Sequence, residues 1–156
     1  MDIIHAQSPR EIEEVRKLFR EYEAFLGVDL CFQEFESELA NLPGKYAPPS
    51  GALLLAVDGG RALGCGALRR FGPQGDLVCE MKRLYVRPEA RRRGVGRRIA
   101  ERLIEEGVLR GYSAMVLDTL EKLSDAMRLY ESLGFVRTGA YYDNPLPGAT
   151  YWRLPL

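Results

Sequence analysis

The sequence predicts a single α/β domain over residues 1–156, and three observations predict it. At 156 residues and 46% hydrophobic, the chain can bury one substantial core and is too short for two comfortable domains. Segments of helical period alternate with segments of strand period along its whole length, without a repeat, linker or low-complexity tract. Cap and turn residues fall where one period gives way to the other.

The elements can be justified in order. Asp2 to Ala6 reads as a short strand, and Ser8-Pro9-Arg10-Glu11 then forms a capping box with proline at the first helical position. Ile12, Val15, Leu18, Phe19, Tyr22 and Leu26 give the helix an apolar stripe, which Gly27 ends. A second short helix is expected over Phe32 to Leu42. Leu42-Pro43-Gly44 and Ala47-Pro48-Pro49-Ser50-Gly51 then enclose an irregular loop. Ala52 to Val57 and Ala62 to Arg69 read as strands joined at Asp58-Gly59-Gly60, a strong hairpin signal.

The next strand, Leu77 to Val86, changes phase. Leu77, Cys79 and Met81 share one face, yet Leu84 and Val86 belong to the other. An extra residue near Lys82 or Arg83, a β-bulge, restores the register; burial of both faces of a central strand, which also accounts for Val78 and Tyr85, is the alternative. Further on, Val95, Ile99, Leu103 and Ile104 line a long helix, Ala114 to Leu120 is a strand, and Leu123, Ala126, Met127, Tyr130 and Leu133 line a helix closed by Gly134. Phe135 to Gly139 and Thr150 to Leu154 suit a final strand pair. The turn-rich, aromatic segment Tyr141 to Gly148 lies between them as a surface loop.

One junction carries chemistry of its own. Arg91-Arg92-Arg93-Gly94-Val95-Gly96-Arg97 joins a strand to a helix start, where glycines permit close backbone approach and unpaired N–H groups face outward. Arg97 and Arg98 oppose the helix dipole there, which favours an anion among them over a plain solvated helix start. Neither nucleotide fingerprint fits: Gly96 is followed by Arg97 and Arg98 rather than by Lys-Ser/Thr, and Ile99 stands where a third glycine would be. The 22 basic and 22 acidic residues balance, but six basic residues fall between Arg87 and Arg98. Local charge of that kind suits a small anion and offers no case for nucleic acid or an anionic membrane.

No apolar run approaches the ~20 residues of a membrane span, and the N-terminus has neither a signal-peptide core nor a cleavage site, so a cytoplasmic protein is expected. Cys31, Cys65 and Cys79 lack metal-like spacing, and His5 completes no zinc site with them. No metal is expected, and at least Cys65 and Cys79 read as buried thiols.

Two motifs together carry a family resemblance. Val86-Arg87-Pro88-Glu89-Ala90-Arg91-Arg92-Arg93-Gly94-Val95-Gly96 resembles the acetyl-CoA motif of the GNAT superfamily, and Ala126-Met127-Arg128-Leu129-Tyr130-Glu131-Ser132-Leu133-Gly134-Phe135 is similar to its late Ala-x-x-x-Tyr-x-x-x-Gly-Phe helix and turn. The order of elements agrees over essentially the whole chain. The resemblance implies the acyl-CoA N-acyltransferase fold: a mixed, mostly antiparallel sheet, splayed between its fourth and fifth strands and flanked by about four helices. It implies acetyl-CoA in the gap, with the backbone of Arg91, Arg92, Arg93, Gly94, Val95, Gly96 and Arg97 on the pyrophosphate. The main chain of Leu84, Tyr85 and Val86 would lie along the pantetheine arm, with the bulge turning an N–H toward the thioester carbonyl. Leu123 departs from the asparagine of many relatives, and Ser124 is the residue offered in its place.

The resemblance also implies roles in the chemistry. Tyr130 matches the tyrosine that donates a proton to the cofactor sulfur, although it also continues an apolar stripe and could simply pack. Glu80, eleven residues before Arg91, matches the general base of the histone-acetylating members. Burial between Cys79 and Met81 could raise its pKa, whereas an ion pair or a structural water is the alternative. The acceptor pocket is implied at Leu26 to Phe32 and Tyr141 to Thr150, where Asp29 or Asp143 could hold an ammonium group and Tyr141, Tyr142 and Trp152 could supply walls. A small-molecule or peptide amine is the expected acceptor, and a homodimer is left open. Two readings stand: an acetyl-CoA-dependent N-acetyltransferase acting by direct attack in a ternary complex, and a non-catalytic acyl-CoA-binding sensor. A base and an acid together favour the enzyme.

Overall fold

The computed structural model describes residues 1–30, 34–72 and 77–156. Eleven regular elements follow in chain order: β1 (Asp2–His5), α1 (Pro9–Leu26), α2 (Phe35–Ala40), β2 (Ala52–Asp58), β3 (Arg61–Phe71), β4 (Val78–Val86), α3 (Val95–Leu109), β5 (Ala114–Leu120), α4 (Ser124–Ser132), β6 (Val136–Thr138) and β7 (Ala149–Pro155). The strands form one sheet in the order β1-β2-β3-β4-β5-β7-β6, in which only β4 and β5 run parallel. The expected mixed, mostly antiparallel sheet with four flanking α-helices is what the chain adopts.

Local chemistry accounts for the boundaries. Ser8 accepts the Glu11 N–H at 3.2 Å while the Glu11 carboxylate accepts the Ser8 N–H at 2.9 Å, completing the capping box, and Gly27 closes the other end of α1. α2 begins later than expected, at Phe35; Cys31 and Phe32 lie outside the described residues. Gly44–Tyr46 makes a 3₁₀ turn in the loop expected to be irregular. Residues 59 and 60 turn β2 into β3 as a tight hairpin.

The core lies on both faces of the sheet. Val15, Leu18 and Phe19 of α1 pack with Phe35 and Leu39 of α2 against Leu53, Leu55, Cys65 and Ala67 on one face. Val95, Ile99 and Leu103 of α3 pack against Leu54, Leu68, Cys79 and Met81 on the other. Cys65 and Cys79 are buried free thiols, and burial pushes Cys79 up to about 12. Trp152, expected as a pocket wall, is instead a core residue whose indole N–H donates to Thr150 Oγ1 at 3.0 Å. Among the described residues, no helix is long and apolar enough to cross a membrane and no group of three or more His, Cys, Asp or Glu side chains is arranged to hold a metal.

The phase change in β4 is a bulge. Cys65 pairs with Tyr85 and Ala67 with Lys82, so Gly66 alone faces both Arg83 and Leu84, and Arg83 takes φ +60°. Both faces of β4 are also largely buried, so the two explanations of its pattern hold together. Gly66 is needed opposite the bulge because α3 rests directly on it: a Cβ there would lie 2.7 Å from Ile99 Cγ2 and 2.9 Å from Leu103 Cδ1. Gly66→Ala is therefore expected to destabilise the fold by about 1–3 kcal/mol through overpacking, read as a lower urea midpoint with an unchanged m value. An unchanged midpoint would mean that α3 can lift without cost.

Candidate active site

The site exists because β4 and β5 part. They pair only at Val78 with Ala114, Cys79 with Met115 and Glu80 with Val116. Beyond Glu80 the two strands enclose a cavity of about 350 Å³, lined by every β4 residue from Met81 to Val86 and by Asp118, Thr119 and Leu120 of β5. The β5-facing edge of β4 thus runs along an opening instead of a partner strand. Backbone amide and carbonyl groups in such a place call for another hydrogen-bonding partner.

At one end the cavity reaches the start of α3 through Arg91 and Gly96. The first helical hydrogen bond there runs from the Arg98 N–H to the Gly94 carbonyl at 3.1 Å, so the N–H groups of Val95, Gly96 and Arg97 precede the helical ladder. Val95 buries its side chain in the core and brings only its backbone to this turn; Gly94 and Arg92 hold left-handed conformations with φ +76° and +63°. The arginines are not equivalent. Arg91, Arg92 and Arg93 are all exposed, but Arg91 donates to the Val86 carbonyl at 3.0 Å and lies 4.5 Å from the Phe25 ring, and it alone of the three lines the cavity. Arg93 approaches Asp58 at 3.5 Å, and Arg97 bonds Ser132 and Glu101.

Ser124, Ala126, Leu129 and Tyr130 also stand in the cavity wall, Leu129 beside Gly96. Tyr130 is 7% exposed and packs edge-to-face on Phe135 at 5.8 Å while also lining the cavity, so packing does not take it away from the site. Burial holds its phenol well above the usual tyrosine range, keeping the proton in place through neutral pH.

Lys82, Arg83, Asp118, Lys122 and Asn144 make another part of the lining polar, which is built by residues from three elements, the turn after β5 and the loop before β7. Tyr22, Leu26 and Leu30 approach from the α1 side, Lys82 and Arg83 from β4, Asp118 from β5, Lys122 from the turn that follows it, and Asn144 and Leu146 from the loop. Arg83 is clamped by Glu38 through bonds of 2.9 and 3.1 Å. Burial opposes charge on Glu38, yet the guanidinium holds its carboxyl below the usual range. Asp118 Oδ2 accepts the Tyr142 hydroxyl and, at 2.8 Å, the Asn144 amide. Lys122 donates to the Leu26 carbonyl.

Glu80 sits just behind this polar part and is 1% exposed. Its Oε1 accepts the Arg69 Nε–H at 2.8 Å and its Oε2 the Tyr141 hydroxyl at 2.6 Å; it does not line the cavity. Tyr142 does not line the cavity but reaches it through its bonds to Asp118 and Asn144. Asp29 and Asp143 are both exposed outside the cavity: Asp29 faces a shallow depression with Arg20, Glu23 and Gly27, and it is Leu30, one residue on, that turns inward. Sequence reasoning missed Lys82, Asp118, Lys122 and Asn144. The available signal was charge within apolar strands, Asp118 in Ala-Met-Val-Leu-Asp-Thr-Leu above all.

Comparison with known proteins agrees with this geometry. The model of the acetyltransferase (GNAT) family matches residues 12–135. An uncharacterized N-acetyltransferase of Schizosaccharomyces pombe is 47% identical over 149 residues, covering 95% of this chain and 90% of that protein. The N-acetylaspartate synthetase of Danio rerio is 36% identical over 121 residues, 77% of this chain but 42% of that longer protein. A Salmonella typhimurium protein solved with its cofactor acetyl-CoA shares the fold, with a TM-score of 0.75 over 99% of this chain and 93% of that one at 20% identity.

Proposed function

This chain belongs to the GNAT family of acetyltransferases, and from that premise we propose that it moves the acetyl group of acetyl-CoA to the primary amine of a small molecule by direct attack within a ternary complex. The observation that carries the proposal is the β4 edge, open along a cavity that takes in the N-terminus of α3, Tyr130 and a polar part of the lining. The main chain of Leu84, Tyr85 and Val86 offers amide partners to an extended pantetheine arm, and the N–H groups that open α3 suit a pyrophosphate. The exposed Arg91, Arg92 and Arg93 add positive charge there. Ser124 stands on the cavity wall for a polar contact to the arm. The small-molecule acceptor is supported by the relative named N-acetylaspartate synthetase.

Acetyl-CoA supplies an acyl carbon already activated as a thioester. This chain's residues must then polarise a carbonyl, remove a proton from the amine and return one to sulfur as the C–N bond forms and the C–S bond breaks. The bulge at Arg83 and Leu84 reorients the amide groups beside the arm and serves the carbonyl. Tyr130 gives its phenolic proton to the departing thiolate. Glu80 takes the amine's proton, and because Arg69 and Tyr141 occupy its oxygens behind the cavity wall, the transfer runs through water.

Release of free thiol from acetyl-CoA across a panel of amines tests the proposal; binding of acetyl-CoA with no release for any amine would favour the sensor. Within an active enzyme, Glu80→Gln is expected to lower the maximal rate about 10²-fold while acetyl-CoA affinity is retained. An unchanged maximal rate, with only thermal stability altered, would reduce Glu80 to the partner of Arg69 and Tyr141.

A further inference from the structure

Lys82 and Asp118 occupy equivalent places on the two parted strands. Glu80 pairs with Val116 in the last rung of the parallel ladder, so two residues further along each strand, on the same side of the sheet, come Lys82 and Asp118. The strands have separated there, and both residues line the cavity between them. A cation and an anion are thereby set on opposite walls of one gap.

Neither is an incidental surface charge. Lys82 is 7% exposed and lines the cavity, so its ammonium meets whatever enters with little water between them. Burial pulls its pKa down to about 8 while Glu80 and Asp118 hold it up, so it remains largely protonated at neutral pH. On the opposite wall, Tyr142 and Asn144 fix the Asp118 carboxylate by bonding one oxygen, which orients the group and, among the described residues, leaves the other able to accept a cation. In the same polar part Arg83 is paired with Glu38, and Lys122 brings a second cationic side chain to the cavity lining.

Building on the acetyl-transfer reading, we infer that the acceptor is an amino acid that spans the gap, its carboxylate on Lys82 and its amine on Asp118. Lys82 is then the residue that sets specificity. Asp118 holds the ammonium form near Glu80 until it loses a proton and can attack.

The test compares amino acids with their own carboxamides as acceptors, reading thiol release from acetyl-CoA. The carboxamide keeps the amine and the side chain but loses the negative charge, and its less basic amine supplies more free base. Without a carboxylate site, carboxamides would therefore equal or outperform the acids. The inference expects at least tenfold higher kcat/KM for the acid of the best pair, carried mainly by KM. Lys82→Met is expected to bring that ratio close to one, while the melting-temperature rise given by acetyl-CoA persists. A carboxamide preference, or an acid preference that survives in Lys82→Met, overturns the inference and leaves acetyl transfer standing. Failure of acetyl-CoA to raise the melting temperature of the unaltered protein would defeat the acetyl-transfer reading beneath it.

Discussion

Gly96→Val is expected to abolish acetyl-CoA binding in a protein that still folds. A Cβ at Gly96 would lie 3.6 Å from Val86 Cγ2 and 3.9 Å from Leu129 Cδ2, ordinary contact distances, so the fold accepts a side chain there. Valine and glycine also differ little enough in helix preference that α3 should persist. But Gly96 lines the cavity where the α3 N-terminus opens, and two γ-methyl groups would occupy the space through which a phosphate reaches the first N–H groups. At a hundredfold excess over Kd, acetyl-CoA stabilises the unaltered protein by about 2.7 kcal/mol, which for a domain of this size raises Tm by roughly 5–10 °C. The variant should show no rise, corresponding to an affinity loss of about 10³-fold or more. A folded Gly96→Val protein with the original shift would remove the α3 N-terminus from the cofactor site.

Tyr130→Phe should leave binding intact and cost turnover. The phenylalanine ring keeps the edge-to-face contact with Phe135 and the place in the cavity wall, so only the hydroxyl is lost. Burial keeps that hydroxyl protonated, so in the proposed reaction it is the proton held for the departing thiolate, at a 7% exposed site that bulk water reaches poorly. The expected result is a kcat lower by about 10²–10³-fold, with the acetyl-CoA Kd unchanged. Thiol release at saturating substrates, alongside equilibrium titration, measures both. Equal turnover in the two proteins would leave Tyr130 as packing alone.

The parts of the site visible in the sequence were those written locally. A capping box, a two-residue turn and a phase slip in β4 each occupy a few adjacent residues, and each formed as expected. The Arg91 to Arg97 turn and Tyr130 were legible because their motifs are contiguous. Lys82 and Asp118 were not, since they are 36 positions apart in the numbering and meet only through the register of β4 against β5. Asp29 was marked as an ammonium site from its segment alone; the chain exposes it outside the cavity and turns its neighbour Leu30 inward. Glu80 was marked from its place in the sequence, while its partners Arg69 and Tyr141, eleven and sixty-one residues away, are matters of tertiary structure.

Three rungs are a short seam for a seven-stranded sheet. In mechanical terms the molecule is two plates, β1 to β4 and β5 to β7, and Glu80 works as a rivet where they meet. One of its oxygens is fastened to Arg69 on the first plate, the other to Tyr141, carried on the connection between the strands of the second. The aperture between the plates is thus framed by one carboxylate gripped from both sides, so that a change at Arg69 or Tyr141 bears on the cavity although neither residue lines it.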